Sequence, residues 1–169
     1  MQHLRPGELV SLEHDRKHYV FLILSSSAFF GCQWTFALHR TFPEVPPGSA
    51  INVHTESGFV ALIDFIVPRR AKAVVRISKG IETSSYLSFT RTKALIRGGG
   101  GPALWFIYDR RSQILKKVPS LSTEELDYPI WSGMKSSEAY ELIDAQWSPR
   151  VLVSASSKGQ YPRQAKTGG

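Results

Sequence analysis

The first forty residues carry a strand pattern. Gly7-Glu8-Leu9-Val10-Ser11-Leu12-Glu13 is a short apolar stretch with charged ends, and His14-Asp15-Arg16-Lys17-His18 is a polar turn. Tyr19-Val20-Phe21-Leu22-Ile23-Leu24 is an unbroken apolar run, and Trp34 to Phe42 then alternates large and small residues. Period-two alternation suits a strand with one covered face, while a short continuous apolar run suits a strand covered on both. A curled antiparallel sheet is therefore expected to start almost at the first residue. Further short apolar runs span Phe59 to Val67, Ala73 to Ile77, Tyr86 to Phe89, Leu104 to Tyr108 and Ile114 to Val118. Turn residues separate them: Pro43 to Gly48, Gly80, Gly98 to Gly101, Pro119, Pro129 and Gly133. Their Val, Ile, Phe, Tyr and Trp content favours strands.

One segment has helical spacing. In Ser136 to Trp147, residues Ala139, Leu142, Ile143 and Trp147 fall on one face with acids on the other. Ser136 is the expected N-cap, Glu138 suits the positive helix start, and Pro149 stands just past the end. The predicted fold class is α+β, mainly β: a curved antiparallel sheet, or a partly open SH3-like barrel, with one C-terminal helix. The expected core includes Leu9, Val20, Leu22, Trp34, Phe36, Phe65, Trp105, Ile107, Leu142 and Ile143. Residues 1–153 are expected to form a single β-rich domain. Residues 154–169, rich in Ser, Gly, Lys and Gln without an apolar period, are expected to be a flexible tail.

Composition narrows the class. A chain of 169 residues with 42% hydrophobic content can bury a sizeable core. The one cysteine, Cys32, excludes an intramolecular disulfide, and a Cys-based metal site would need other ligand types. The N-terminus has no apolar core of signal-peptide length, and the longest apolar run is far short of the roughly 20 residues that span a bilayer. A soluble cytoplasmic protein is expected, without membrane contact, cofactor or metal.

Charge adds more. The net charge of +7 is uneven: residues 69–117 carry 12 Lys/Arg against 2 Asp/Glu, whereas 1–68 carry 4 against 6 and 118–150 carry 2 against 6. The basic block comprises Arg69, Arg70, Lys72, Arg76, Lys79, Arg91, Lys93, Arg97, Arg110, Arg111, Lys116 and Lys117. Such a field attracts anionic partners, either nucleic acids or acidic proteins. Strand alternation forbids all of it from forming one patch, and a generic solvated surface explains much of it. Trp105, Phe106 and Tyr108 offer stacking platforms for bases if exposed, or core if not.

The catalytic candidates are weak. His14 and His18 flank Asp15 at four-residue spacing, but at a hairpin turn that spacing does not converge, so a solvated turn is the default over a metal site. His39 and His54 read as strand-surface or loop histidines rather than general bases. Gly98 to Gly101 lacks the following helix and Lys-Ser/Thr pair of a phosphate loop and reads as a hairpin loop. Asp64 lies within an apolar run and is expected on an exposed face or paired with a cation. Ser25 to Ser27 lack a nucleophile-elbow context. Cys32 reads as a small core residue. An enzyme would have to assemble Asp64, a histidine and Cys32 or a serine from distant segments.

Three pieces resemble a known family. Pro6-Gly7-Glu8-Leu9-Val10 followed by a turn and Tyr19-Val20-Phe21, then Trp105-Phe106-Ile107-Tyr108-Asp109, then Pro129-Ile130-Trp131-Ser132-Gly133 with Gln146-Trp147-Ser148-Pro149, resemble the immunity protein 26 family of bacterial polymorphic-toxin systems. They span roughly Arg5 to Pro149. Two features depart from the family: the first turn has no glycine, and the chain is basic where nuclease inhibitors are commonly acidic. The resemblance implies a compact, mainly β domain that binds and neutralises a cognate toxin in the producing cell. The toxin surface is then expected to be acidic, or the toxin is not a nuclease blocked by charge mimicry.

The function expected is therefore that of a non-enzymatic inhibitor binding its toxin 1:1 through roughly 1,200–2,000 Å² of buried surface. Arg69, Arg70, Arg110, Arg111 and Trp131 are the expected anchors, since Arg and Trp are favoured there. The alternative is a nucleic-acid-binding small β-barrel module using the basic 69–117 block.

Overall fold

A computed structural model describes residues 4–25, 32–66, 68, 73–97, 103–109 and 113–148. The protein is mainly β with a C-terminal helix, and among the described residues no strand pairing closes a sheet into a barrel. It divides into two compact units. Unit 1 contains the described residues within 1–88 and 133–147; unit 2 contains those within 89–132 and Ser148. The expected tail, 154–169, lies outside the described residues. No helix among the described residues is long and apolar enough to cross a membrane.

Unit 1 holds strands β1 (Leu9–His14), β2 (Lys17–Ile23), β3 (Cys32–Phe42), β4 (Gly58–Asp64) and β5 (Val74–Ser78), in the order β5-β1-β2-β3-β4. Each neighbouring pair is antiparallel. The β1–β2 hairpin turns on Asp15 and Arg16, with φ of 50° and 61°. Two successive left-handed residues make the turn whose twist matches that of the strands it joins. Leu9, Val20, Leu22, Leu24, Phe36 and Leu38 form a buried core with Phe42 and Val53, and Trp34 packs against it half-buried. Gly58 is required where β4 crosses β3, because a Cβ there would lie 2.2 Å from the Ala37 carbonyl oxygen.

The segment Tyr86 to Phe89, expected as a strand, instead begins in a 3-10 turn, Ser84–Leu87. Its apolar side chains plug the core from outside a sheet. The Tyr86 ring lies 4.7 Å from Phe36, and its hydroxyl donates to the Val53 carbonyl at 2.7 Å.

Helix α1 (Ser136–Asp144) buries Ala139, Tyr140, Leu142 and Ile143. The N-cap is Lys135, not Ser136: Glu138 at the third position accepts from the Lys135 backbone N–H at 2.8 Å. The helix also ends earlier than the apolar spacing implies. Gln146 adopts a left-handed φ of 51°, its N–H donates to Ile143 and that of Trp147 to Leu142, each at 2.9 Å, which is a Schellman stop. Trp147, past the stop, is buried edge-on against Phe59 at 5.1 Å.

Unit 2 is built on strands β6 (Arg91–Arg97), β7 (Ala103–Asp109) and β8 (Ile114–Val118), antiparallel in that order. Strand β9 (Ile130–Lys135) starts in unit 2, where Ile130 pairs in parallel with Lys93, and continues into unit 1. The β6–β7 register runs from Arg91↔Asp109 to Arg97↔Ala103; Gly98 to Gly101, expected as a hairpin loop, lie outside the described residues.

Candidate functional site

Register sorts the side chains of unit 2 onto two faces. Thr92, Ala94 and Ile96 of β6 stand opposite Tyr108, Phe106 and Leu104 of β7, and Phe106 and Tyr108 stand opposite Lys117 and Ile114 of β8. Directly opposed residues share a face. The other face carries Lys93 opposite Ile107, Ile107 opposite Lys116, and Trp105 opposite Val118.

The second face is covered. A 3-10 turn, Glu125–Asp127, lies over it, and Lys93 is only 1% exposed. The Lys93 ammonium donates to the carbonyls of Glu125 and Leu126, at 3.3 and 2.5 Å, and stands 5.8 Å from the centre of the Trp105 ring. Burial pulls its pKa down to about 8, against an opposing pull from Asp127. The Glu125 carboxylate is paired with Lys116 and accepts from the Ser122 backbone N–H at 2.8 Å, which holds it below the usual carboxylate range. Ser122 in turn caps the turn by accepting from the Glu125 N–H. Two lysines of the basic block are thus committed to holding a turn.

The first face is partly open. Phe106 and Tyr108 stack at 6.3 Å, and Tyr108 and Trp131 at 4.7 Å, with interplanar angles of 22° and 26°. Tyr108 is buried, Phe106 and Trp131 are half-buried, and the Lys117 ammonium lies 5.0 Å over the Phe106 ring. Ile96 and Ile114 are 39% and 51% exposed on this face, and Leu115 on the adjacent β8 edge is 51% exposed. Exposed isoleucines, half-buried aromatics and a cation placed on a ring form an adhesive surface: the apolar groups gain by leaving water, and the ammonium selects negative charge. Thr92 Oγ1 is buried on this face and has no hydrogen-bond partner among the described residues.

Of the expected anchors, Trp131 takes part in this ladder. Arg69, Arg70, Arg110 and Arg111 lie outside the described residues, Arg69 and Arg70 between β4 and β5 and the other pair between β7 and β8. Elsewhere in the basic block, Arg76 donates to the Glu8 carboxylate at 3.1 Å, and Arg91 donates to the Tyr128 hydroxyl at 3.3 Å. Trp105 is core, on the face opposite Phe106 and Tyr108. Ile96 and Ile114 were not singled out as contact residues by sequence, whereas Phe106 was weighed as a stacking platform and Lys117 as part of the basic block. Only the register places them beside Trp131.

The catalytic candidates separate in space. Ser11 Oγ lies 3.1 Å from His18 Nδ1, a Ser-His contact, but Ser11 is fully buried between β2 and β5, so no substrate reaches its oxygen. His14 stacks on Tyr140 at 4.7 Å, and His39 bonds the Trp147 carbonyl at 2.6 Å. Asp64 is half-buried and accepts from the Ile66 N–H at 2.7 Å, steering the chain out of β4. Burial raises the Cys32 pKa, with Asp64 adding to it, so this buried thiol stays protonated. Among the described residues, no three His, Cys, Asp or Glu side chains form a metal cluster.

No protein-family model, no curated protein and no solved structure matches the chain.

Proposed function

We propose that the chain is a toxin-neutralising immunity protein, a non-enzymatic inhibitor that binds a cognate bacterial toxin 1:1 and blocks it. The observation that carries the binding half is the open face of unit 2. There Phe106, Trp131, Ile96 and Ile114 present apolar surface beside the Lys117 ammonium. Aromatic residues are favoured at interface hot spots, and the Lys117 charge beside them favours an acidic surface. The toxin as partner rests on the residue pattern, spanning roughly Arg5 to Pro149, that resembles the immunity protein 26 family.

Stacked rings with a lysine beside them also favour a second reading, a single-stranded nucleic-acid module. The ring geometry weighs against it. Tyr108 is buried with two ring neighbours, so it offers no face to a base, and only Phe106 and Trp131 remain.

The test is purification of the tagged chain from its native lysate, with and without nuclease. The expected result is one stoichiometric protein that survives nuclease, arrests growth when expressed alone, and loses toxicity when the chain is co-expressed. A nuclease-sensitive spread of nucleic acid would overturn the inhibitor reading. Affinity for the nucleic acid would then fall with salt, each phosphate contact adding about 0.7–0.9 to the logarithmic slope.

A further inference from the structure

We propose that the free edge of β8 is a docking strand, and that an acidic extended segment of the partner protein adds to it as a further strand of unit 2. This rests on the reading of the chain as a binder of an acidic protein and specifies how that protein is held.

Among the described residues β8 pairs with one neighbour, β7, and lies at the end of the strand order. A strand in that position turns every second N–H and C=O away from its neighbour, in the spacing that another strand requires. Natural edges are usually guarded by a covering element, by proline, by a bulge or by charge, lysine above all, and such a guard turns away strands that do not neutralise it. This one, Ile114-Leu115-Lys116-Lys117-Val118, has no proline; a bulge at Leu115 and two lysines guard it, and its first two side chains are 51% exposed.

Lys117 selects the occupant, since Lys116 is already paired with Glu125. A second copy of the chain would fit the hydrogen-bonding pattern but not the charge. Antiparallel registers that pair the middle of β8 with itself set Lys116 opposite Lys116 or Lys117. A parallel in-register pair sets each lysine beside its own copy. Like charges directly across a strand pair are destabilising, and opposite charges stabilise it. A segment carrying Asp or Glu opposite Lys117 gains where a second copy loses. Nucleic acid has no ladder of amide donors and acceptors to match the edge. The side chains also divide the work. Lys117 and Ile114 belong to the face of Phe106 and Tyr108, so an added strand would continue the apolar and aromatic surface already present there.

The experiment uses the full chain and three probes: a peptide alternating valine and glutamate, a matched peptide alternating valine and lysine, and oligo-dT. Binding is read by anisotropy, and amide hydrogen exchange is followed at residues 114–118. The expected result is that the valine–glutamate peptide binds and slows exchange at alternate amides of β8, while the valine–lysine peptide does not bind. Lys117→Glu weakens the acidic peptide about fivefold, the scale of reversing one cross-strand charge pair. Exchange in the β6–β7 hairpin reports that this variant remains folded. Three outcomes would overturn the proposal: no binding of the acidic peptide, binding without protection of β8 amides, or protection of β8 by self-association or by oligo-dT. The two levels fail separately. A toxin that is captured and neutralised while its binding leaves β8 exchange unchanged removes the docking edge and keeps the inhibitor. An acidic peptide that protects β8 in a chain that neutralises no toxin keeps the edge and removes the inhibitor.

Discussion

Asp15 and Arg16 show how much a single residue can be asked to carry. Both hold left-handed backbone angles, which cost a side-chain-bearing residue roughly 1–2 kcal/mol and cost glycine nothing sterically. Replacing Arg16 by glycine also loosens the unfolded chain, which returns part of that gain. Arg16→Gly is therefore expected to raise stability by up to about 1 kcal/mol. A urea midpoint that stays put or falls would show that the arginine is held there by something beyond the turn. Thr92 makes the complementary case. Its hydroxyl is buried with no partner among the described residues, and an unsatisfied buried hydroxyl costs about 1–3 kcal/mol. Valine keeps the shape and removes the hydroxyl. Thr92→Val should stabilise unit 2 by roughly 1 kcal/mol without shifting the Tyr108 and Trp131 side-chain resonances. A loss of stability would mean that the hydroxyl is satisfied in solution.

At the scale of elements, helix α1 was readable because its information is local. The apolar spacing, the acid in the first turn and the turn residues beyond it lie within a dozen positions. Only its ends moved: Glu138 caps Lys135, and Gln146 stops the helix while Trp147 returns to the core. Glu138→Ala should cost about 1 kcal/mol, and Glu138→Gln should recover most of it, since either Gln or Glu can accept from the Lys135 N–H. Equal loss in both variants would place the effect in charge instead of the hydrogen bond. Strands β6 and β9 were not legible. Arg91, Lys93 and Arg97 read as solvated charge, because the turn that covers Lys93 comes 32 residues later in the chain. Tyr86 and Leu87 read as a strand although they plug a core from a 3-10 turn. The candidate face was partly visible. Composition named Trp131, and Phe106 and Tyr108 were weighed as stacking platforms. That Trp105 turns the other way follows from strand pairing, which no local pattern contains.

Across the whole molecule, the buried cation and the buried phenols set opposing limits on stability at high pH. Lys93 is held in its fold with a pKa of about 8 against 10.5 in the open chain. Below pH 8 the fold carries the full cost of burying that charge. Between pH 8 and 10.5 the unfolded chain binds the proton that the folded chain has released, so stability rises with pH, by on the order of 3 kcal/mol in total. Tyr19 acts in the other direction. Burial, followed by its hydrogen bond to Asp144, pushes its pKa up to about 12, so the unfolded phenol ionises first and stability falls once the pH exceeds 10. Tyr86, Tyr108 and Tyr140 are raised by burial as well and add to that fall. The two tendencies belong to different units where they are strongest, since Lys93 lies in unit 2 and Tyr19 in unit 1. Stability is thus expected to climb from pH 8 toward 10 in unit 2 and to drop above pH 10 in unit 1. Fluorine labels on the four tryptophans read the units apart, with Trp105 and Trp131 in unit 2 and Trp34 and Trp147 in unit 1. Lys93→Met separates the cause. It leaves the carbonyls of Glu125 and Leu126 without the ammonium at every pH, a constant loss, but it removes the titrating group. The urea midpoint of Trp105 should then become flat between pH 8 and 10, while that of Trp147 is unchanged. Parallel curves for the variant and the parent would show that Lys93 keeps its ordinary pKa and that the turn over β6 opens to water.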